Sequence, residues 1–148
     1  MNTATLFKYW GEVRQALFAA LDKLTDSQLD FVPYPGLWSL RETVCHIAET
    51  EDGWLRYYTA NRYREDHFKP EDYPTVASLK KLLTKVHAET ETQFAQDADT
   101  MMEKVVQLPW DAQTALGWAV WHVLEHEIHH RGEIFLMLGM HGIEAPDV

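Results

Sequence analysis

The chain has a single cysteine, Cys45, among 148 residues, so no disulfide can close within it. That scarcity fits a reducing, cytoplasmic setting. Basic residues are also short: 13 Lys and Arg stand against 23 Asp and Glu, a formal net charge of -10. Such a chain repels phosphate backbones, which argues against a nucleic-acid partner. The densest basic cluster, Lys80, Lys81 and Lys85, reads as the solvated face of a helix. No apolar run approaches the ~20 residues needed to cross a membrane. The opening Met1-Asn2-Thr3-Ala4-Thr5 lacks the basic-then-apolar pattern of a secretory signal. There is no glycine-rich phosphate loop, which argues against nucleotide chemistry. Internal repeats, low-complexity tracts and credible strand patterns are missing too.

What remains is helical periodicity. Leu6, Tyr9, Trp10, Val13, Leu17, Leu21 and Leu24 recur at three- and four-residue spacing and predict a first helix with one apolar stripe. Pro33-Tyr34-Pro35-Gly36 closes a connection. Ser39-Leu40-Arg41-Glu42 is a capping box that opens a second helix, expected to run to about Asn61. A third begins near Thr75 and carries Leu79, Leu82, Leu83, Val86 and Phe94. Residues 99–113, with Leu108-Pro109-Trp110 among them, predict an irregular connection holding at most a short extended piece. The fourth helix starts near Thr114 and stops by Gly139 or Gly142. The expected fold is all-α, a four-helix bundle forming one domain over residues 1–148, large enough to bury a core without disulfides.

Eight histidines are the unusual count, and four of them fall between positions 122 and 130. On a helical wheel His122, His126, His130 and Glu133 lie within about 80° of one another. Two imidazoles at i and i+4 lean toward one point and form a common metal chelate. The second helix carries a matching polar stripe of Glu42, His46, Glu49, Thr50, Gly53 and Tyr57, separate from its apolar face. Histidines meeting from two helices inside a bundle would explain both stripes. Spacing alone leaves His122/His126 and His126/His130 equally good pairs. His126-Glu127-Ile128-His129-His130 also fits H-E-x-x-H, the zinc-protease signature. The positions where the longer metzincin pattern needs glycine and histidine hold Glu133 and Leu136, and no strand is available to pair with a peptide. A protease is therefore not expected.

These motifs together carry a family resemblance. Trp118 to Ile134, ending His126-Glu127-Ile128-His129-His130-Arg131-Gly132-Glu133, resembles the closing helix of the DinB-like (YfiT-related) metal-binding four-helix bundles. Trp38-Ser39-Leu40-Arg41-Glu42, followed by His46, is similar to that family's opening of the second helix. The resemblance spans essentially the whole chain. It implies that His46, His126 and His130 bind one divalent transition metal, which demotes His122. Glu133 departs from the glutamine more usual there. Some members of the wider superfamily transfer groups with low-molecular-weight thiols, and many have no established reaction.

Three neutral imidazoles leave coordination positions open, as in catalytic sites. The ion could be Zn, Ni, Fe, Mn or Co, all of which accept imidazole. The sequence reading favours a metal-dependent transferase that joins a low-molecular-weight thiol to a small electrophile. The alternatives are a metal-dependent hydrolase and a non-catalytic metal- or ligand-binding protein. Glu49, one turn from His46, and Glu127 are candidate catalytic carboxylates, each weighed against being merely a surface glutamate. Cys45 points about 100° away from His46 and reads as a buried apolar residue. Trp38 and Tyr57 read as packing residues. A homodimer is expected from the apolar stripe Val120, Leu124, Ile128, Phe135 and Leu138, roughly opposite the histidines.

Overall fold

The computed structural model describes residues 7–58, 68–96, 101–108 and 112–148. Leu6, Asn61, Pro109, Trp110 and the side chain of Tyr57, all invoked above, lie outside that description. Four helices form the body: α1 (Trp10–Leu21), α2 (Leu40–Asp52), α3 (Val76–Gln96) and α4 (Leu116–Met140). The capping box at α2 forms as its sequence dictates. The Glu42 amide donates to Ser39 Oγ at 3.2 Å, and the Ser39 amide donates to Glu42 Oε2 at 2.7 Å. Beyond Asp52 the helix widens into a π-helical stretch, Gly53–Tyr58. Gly142, with φ +71°, stops α4 in the left-handed conformation that glycine adopts without strain. Ahead of α4 the expected irregular connection contains a small antiparallel ribbon, β1 (Val105–Gln107) with β2 (Gln113–Ala115).

The apolar residues separate into two clusters. One holds Leu17 and Leu21 of α1, Leu40 to Ile47 of α2, Leu79 to Val86 of α3, and Ile134 to Leu138 of α4. The other holds Trp10 at the start of α1, Leu55 just past α2, Phe94 near the end of α3, and Leu116 to Leu124 at the start of α4. Helices α1 and α4 thus run from the second cluster to the first, and α2 and α3 run the opposite way. A bundle with parallel neighbours needs long crossovers, not tight hairpins, and the long stretch between α2 and α3 supplies one.

The stripe on which a homodimer was expected is covered only in part within one chain, since Ile128 is 40% exposed and Phe135 half-buried. Val120, Leu124 and Leu138 are buried in the two clusters. Trp10 of α1 and Phe94 of α3 share the second cluster with Val120 and Leu124, so only that part of the stripe is accounted for within one chain. No helix among the described residues is long and apolar enough to cross a membrane.

Candidate metal centre

Helices α2 and α4 bring His46, His126 and His130 together. His126 Nε2 lies 2.9 Å from His46 Nε2 and 3.1 Å from His130 Nε2. Each of the three offers a ring nitrogen, and these all fall within 4.8 Å of one another. One turn of α4 separates His126 from His130, while His46 approaches from across the helix pair.

Protons satisfy this arrangement poorly with neutral imidazoles. His130 Nδ1 donates to Glu133 Oε2 at 2.7 Å, so His130 Nε2 presents a lone pair. His126 Nε2 can meet that lone pair with a proton, or accept a proton from His46, but not both. Either the one His126 N–H is split between two acceptors, or His126 Nε2 faces His130 Nε2 lone pair to lone pair. A cation at the centre resolves the conflict. Bonds of about 2.0–2.1 Å to imidazole would set neighbouring nitrogens about 3.0–3.4 Å apart, close to the spacing seen. The donor set fits a divalent transition metal.

The electrostatics agree. Burial lowers the His126 pKa to about 3, reinforced by the neighbouring His130, His46, His122 and His129. Burial and then His130 also hold His46 below the ordinary histidine value, against the opposing charges of Glu49 and Glu133. Both rings are therefore neutral at physiological pH, the form that binds metal.

The surroundings of the triad were only partly expected. Glu133 accepts from His130 Nδ1 and so fixes its tautomer, glutamate serving where glutamine is more usual. Thr50, one turn past His46, places its Oγ1 3.4 Å from His126 Nε2. The sequence reading set Thr50 on the polar stripe without giving it a task, although the His46-to-Thr50 spacing was the available signal. Trp38 is not a core residue. It is 47% exposed and lays its ring 4.3 Å from that of His46 and 5.9 Å from that of His130. Glu49 is half-buried and close enough for its charge to act on His46. His122 stays outside the triad, its ring 6.4 Å from His126, stacked on Trp118 and edge-on to Trp54.

Glu127 is placed elsewhere, which corrects both readings offered for it. It is neither beside the triad nor solvated, but 1% exposed on another face of α4. Its carboxylate accepts from Arg14 Nε at 2.7 Å, Arg14 Nη2 at 2.8 Å and Trp10 Nε1 at 2.6 Å. With its oxygens so occupied, it cannot act as a base at the histidines. Cys45 is buried in the main core, and burial pushes its thiol up to about 12, so it remains protonated and inert.

The family model described as the DinB superfamily matches residues 9–134. The chain belongs to the DinB superfamily. A crystallised DinB-like protein from Bacillus cereus superposes with a TM-score of 0.83 at 19% identity, covering 99% of this chain and 97% of its own. YfiT from Bacillus subtilis, described as "a probable metal-dependent hydrolase with an unusual four-helix bundle topology", superposes with a TM-score of 0.63 at 22% identity, covering 93% and 86%. These two likenesses establish the fold. In sequence, a Bacillus pumilus protein named "Putative metal-dependent hydrolase" is 26% identical over 134 residues, covering 80% of this chain and 77% of that protein.

Proposed function

We propose that this DinB-superfamily chain is a metal-dependent hydrolase of a small molecule, holding one divalent ion on His46, His126 and His130. The observation that carries the reading is the convergence of three Nε2 atoms that protons satisfy poorly. What favours hydrolysis over thiol transfer is the name of the Bacillus pumilus relative. No described residue forms a recognisable thiol site.

An ion bound there would lower the pKa of a coordinated water and polarise an electrophilic oxygen. The chain's own residues divide the remaining work. Three ligands from two helices leave further positions for substrate. Glu133 keeps His130 in the tautomer that presents Nε2. The Thr50 hydroxyl sits beside His126 and can hydrogen-bond a ligand there. Trp38 shields one side of His46. With Glu127 locked to Arg14, Glu49 is the carboxylate we assign to accept a proton.

The test incubates protein loaded with Zn, Ni, Fe, Mn or Co with a panel of activated esters and other small electrophiles, with and without low-molecular-weight thiols. Turnover without thiol that disappears in His126→Ala supports hydrolysis. Turnover that requires a thiol returns the assignment to a transferase. Metal retention without either activity assigns a binding protein. We also propose that two copies pair through the outer face of α4, where Trp121, Ile128 and Leu136 stand exposed. A clean monomer by light scattering at micromolar concentration contradicts that pairing.

A further inference from the structure

The two apolar clusters are separated by a buried charged layer to which every helix contributes. Arg14 of α1 lies between Trp10 and Leu17, Glu51 of α2 between Ile47 and Leu55, His87 of α3 between Leu83 and Phe94, and Glu127 of α4 between Leu124 and Ile134. The guanidinium is the hub. Its Nη2 donates to Glu51 Oε2 at 2.7 Å and to Glu127 Oε2 at 2.8 Å, its Nε donates to Glu127 Oε1 at 2.7 Å, and its Nη1 donates to the Leu83 carbonyl at 3.0 Å. His87 Nδ1 lies 2.8 Å from Glu51 Oε1, and Trp10 Nε1 donates to Glu127.

The location of this layer bears on the histidines. Glu51 directly follows Thr50, and Glu127 directly follows His126, the two residues that approach each other across the site. One planar guanidinium therefore grips α4 at the residue next to His126 and α2 at the residue next to Thr50. The fork fixes orientation as well as distance, because bidentate Arg–carboxylate geometry is directional. A helix rotated by one residue about its axis would turn 100°, taking Glu127 out of the fork and the imidazoles out of convergence together.

We propose that Arg14, Glu51 and Glu127 are positioning residues for the metal centre, setting the rotation and register of α4 against α2 so that the three Nε2 atoms meet. The inference rests on the metal-binding reading above. It makes the buried layer part of the functional site, although none of its members reaches the ion.

The test compares divalent-metal affinity in folded protein, well below the melting temperature, using Zn(II) competition with a chromophoric chelator and the visible spectrum of the Co(II)-loaded form. The triple variant Arg14→Met/Glu51→Gln/Glu127→Gln removes every charge of the clamp while leaving acceptors for Trp10 and His87. Glu51→Gln alone is milder and keeps the Arg14–Glu127 fork, should the triple variant fail to fold. We expect affinity to fall about tenfold or more in the triple variant and less in Glu51→Gln, with a changed Co(II) spectrum. Cooperatively folded variants that match the wild-type affinity and spectrum overturn the proposal and leave the layer a stabilising device only. A wild-type protein that binds no metal overturns the reading on which it rests, so the two failures are distinguishable.

Discussion

The interior of this bundle holds two polar clusters that solve opposite problems. Around Arg14 the polar groups are matched: Glu51 and Glu127 accept from the guanidinium, and His87 and Trp10 each add a hydrogen bond to one of those carboxylates. Around His126 they are not, because three nitrogens of one chemical kind face one another. Burial makes both expensive, but only the first set offsets the cost with its own countercharges. A buried polar group is thus no evidence of function by itself. The informative feature is a donor set that stays incomplete without a ligand.

The largest expected effect follows from breaking the matched cluster. Arg14→Met strands two buried carboxylates and should cost about 3–5 kcal/mol, read as a lower urea midpoint. The metal-free His126→Ala variant should lose much less, because the ring it removes is half-buried and poorly paired. Equal losses in the two variants would erase the distinction drawn here.

Metal should act on the second cluster only. Wild-type protein with free metal at 100 times its Kd should gain about 2.7 kcal/mol of stability, seen as a raised melting temperature. That gain should vanish in His46→Ala, His126→Ala and His130→Ala and persist in His122→Ala. Loss of the gain in His122→Ala alone would move the site one turn along α4.

Acid should probe the first cluster. Burial alone would raise the Glu51 pKa, but Arg14 and the His87 hydrogen bond outweigh it and hold the carboxyl below its ordinary value. A depressed native pKa means stability is fully present above the unfolded value, about 4.3, and is lost as pH falls below it. Urea midpoints should therefore drop below about pH 4.5, less steeply in Glu51→Gln. An unchanged slope in that variant would show that the Glu51 pKa is not depressed in the native state.

The smallest effect concerns Cys45, which belongs to neither cluster. Its buried, protonated thiol should react with a disulfide reagent at the rate of global unfolding. Rapid labelling of native protein would contradict its burial.

The helices, the capping box and the convergence of two polar stripes were legible because each repeats a local rule: helical spacing, a serine–glutamate pair, imidazoles one turn apart. The choice of His130 over His122 came from family resemblance, since spacing treats the two alike; in the structure His122 is drawn off by Trp54 and Trp118. The charged layer was missed for a different reason. Arg14 lies on the same stripe as Trp10, Leu17 and Leu21, and Glu127 follows Val120 and Leu124 at seven and three residues. A charge on an apolar stripe is a sign of a buried partner, but the partner comes from another helix, and no local pattern names it. Of the β ribbon only a short extended piece was legible, since three-residue strands carry too little alternation for their pairing to be read.

The account stands most directly on the metal content of untagged protein, measured by elemental analysis for the wild type and for single alanine variants at 46, 122, 126 and 130. It predicts about one divalent transition-metal ion per chain in the wild type and in His122→Ala, and almost none in His46→Ala, His126→Ala and His130→Ala. A wild type without metal, or a His130→Ala variant that stays full while His122→Ala empties, would contradict it.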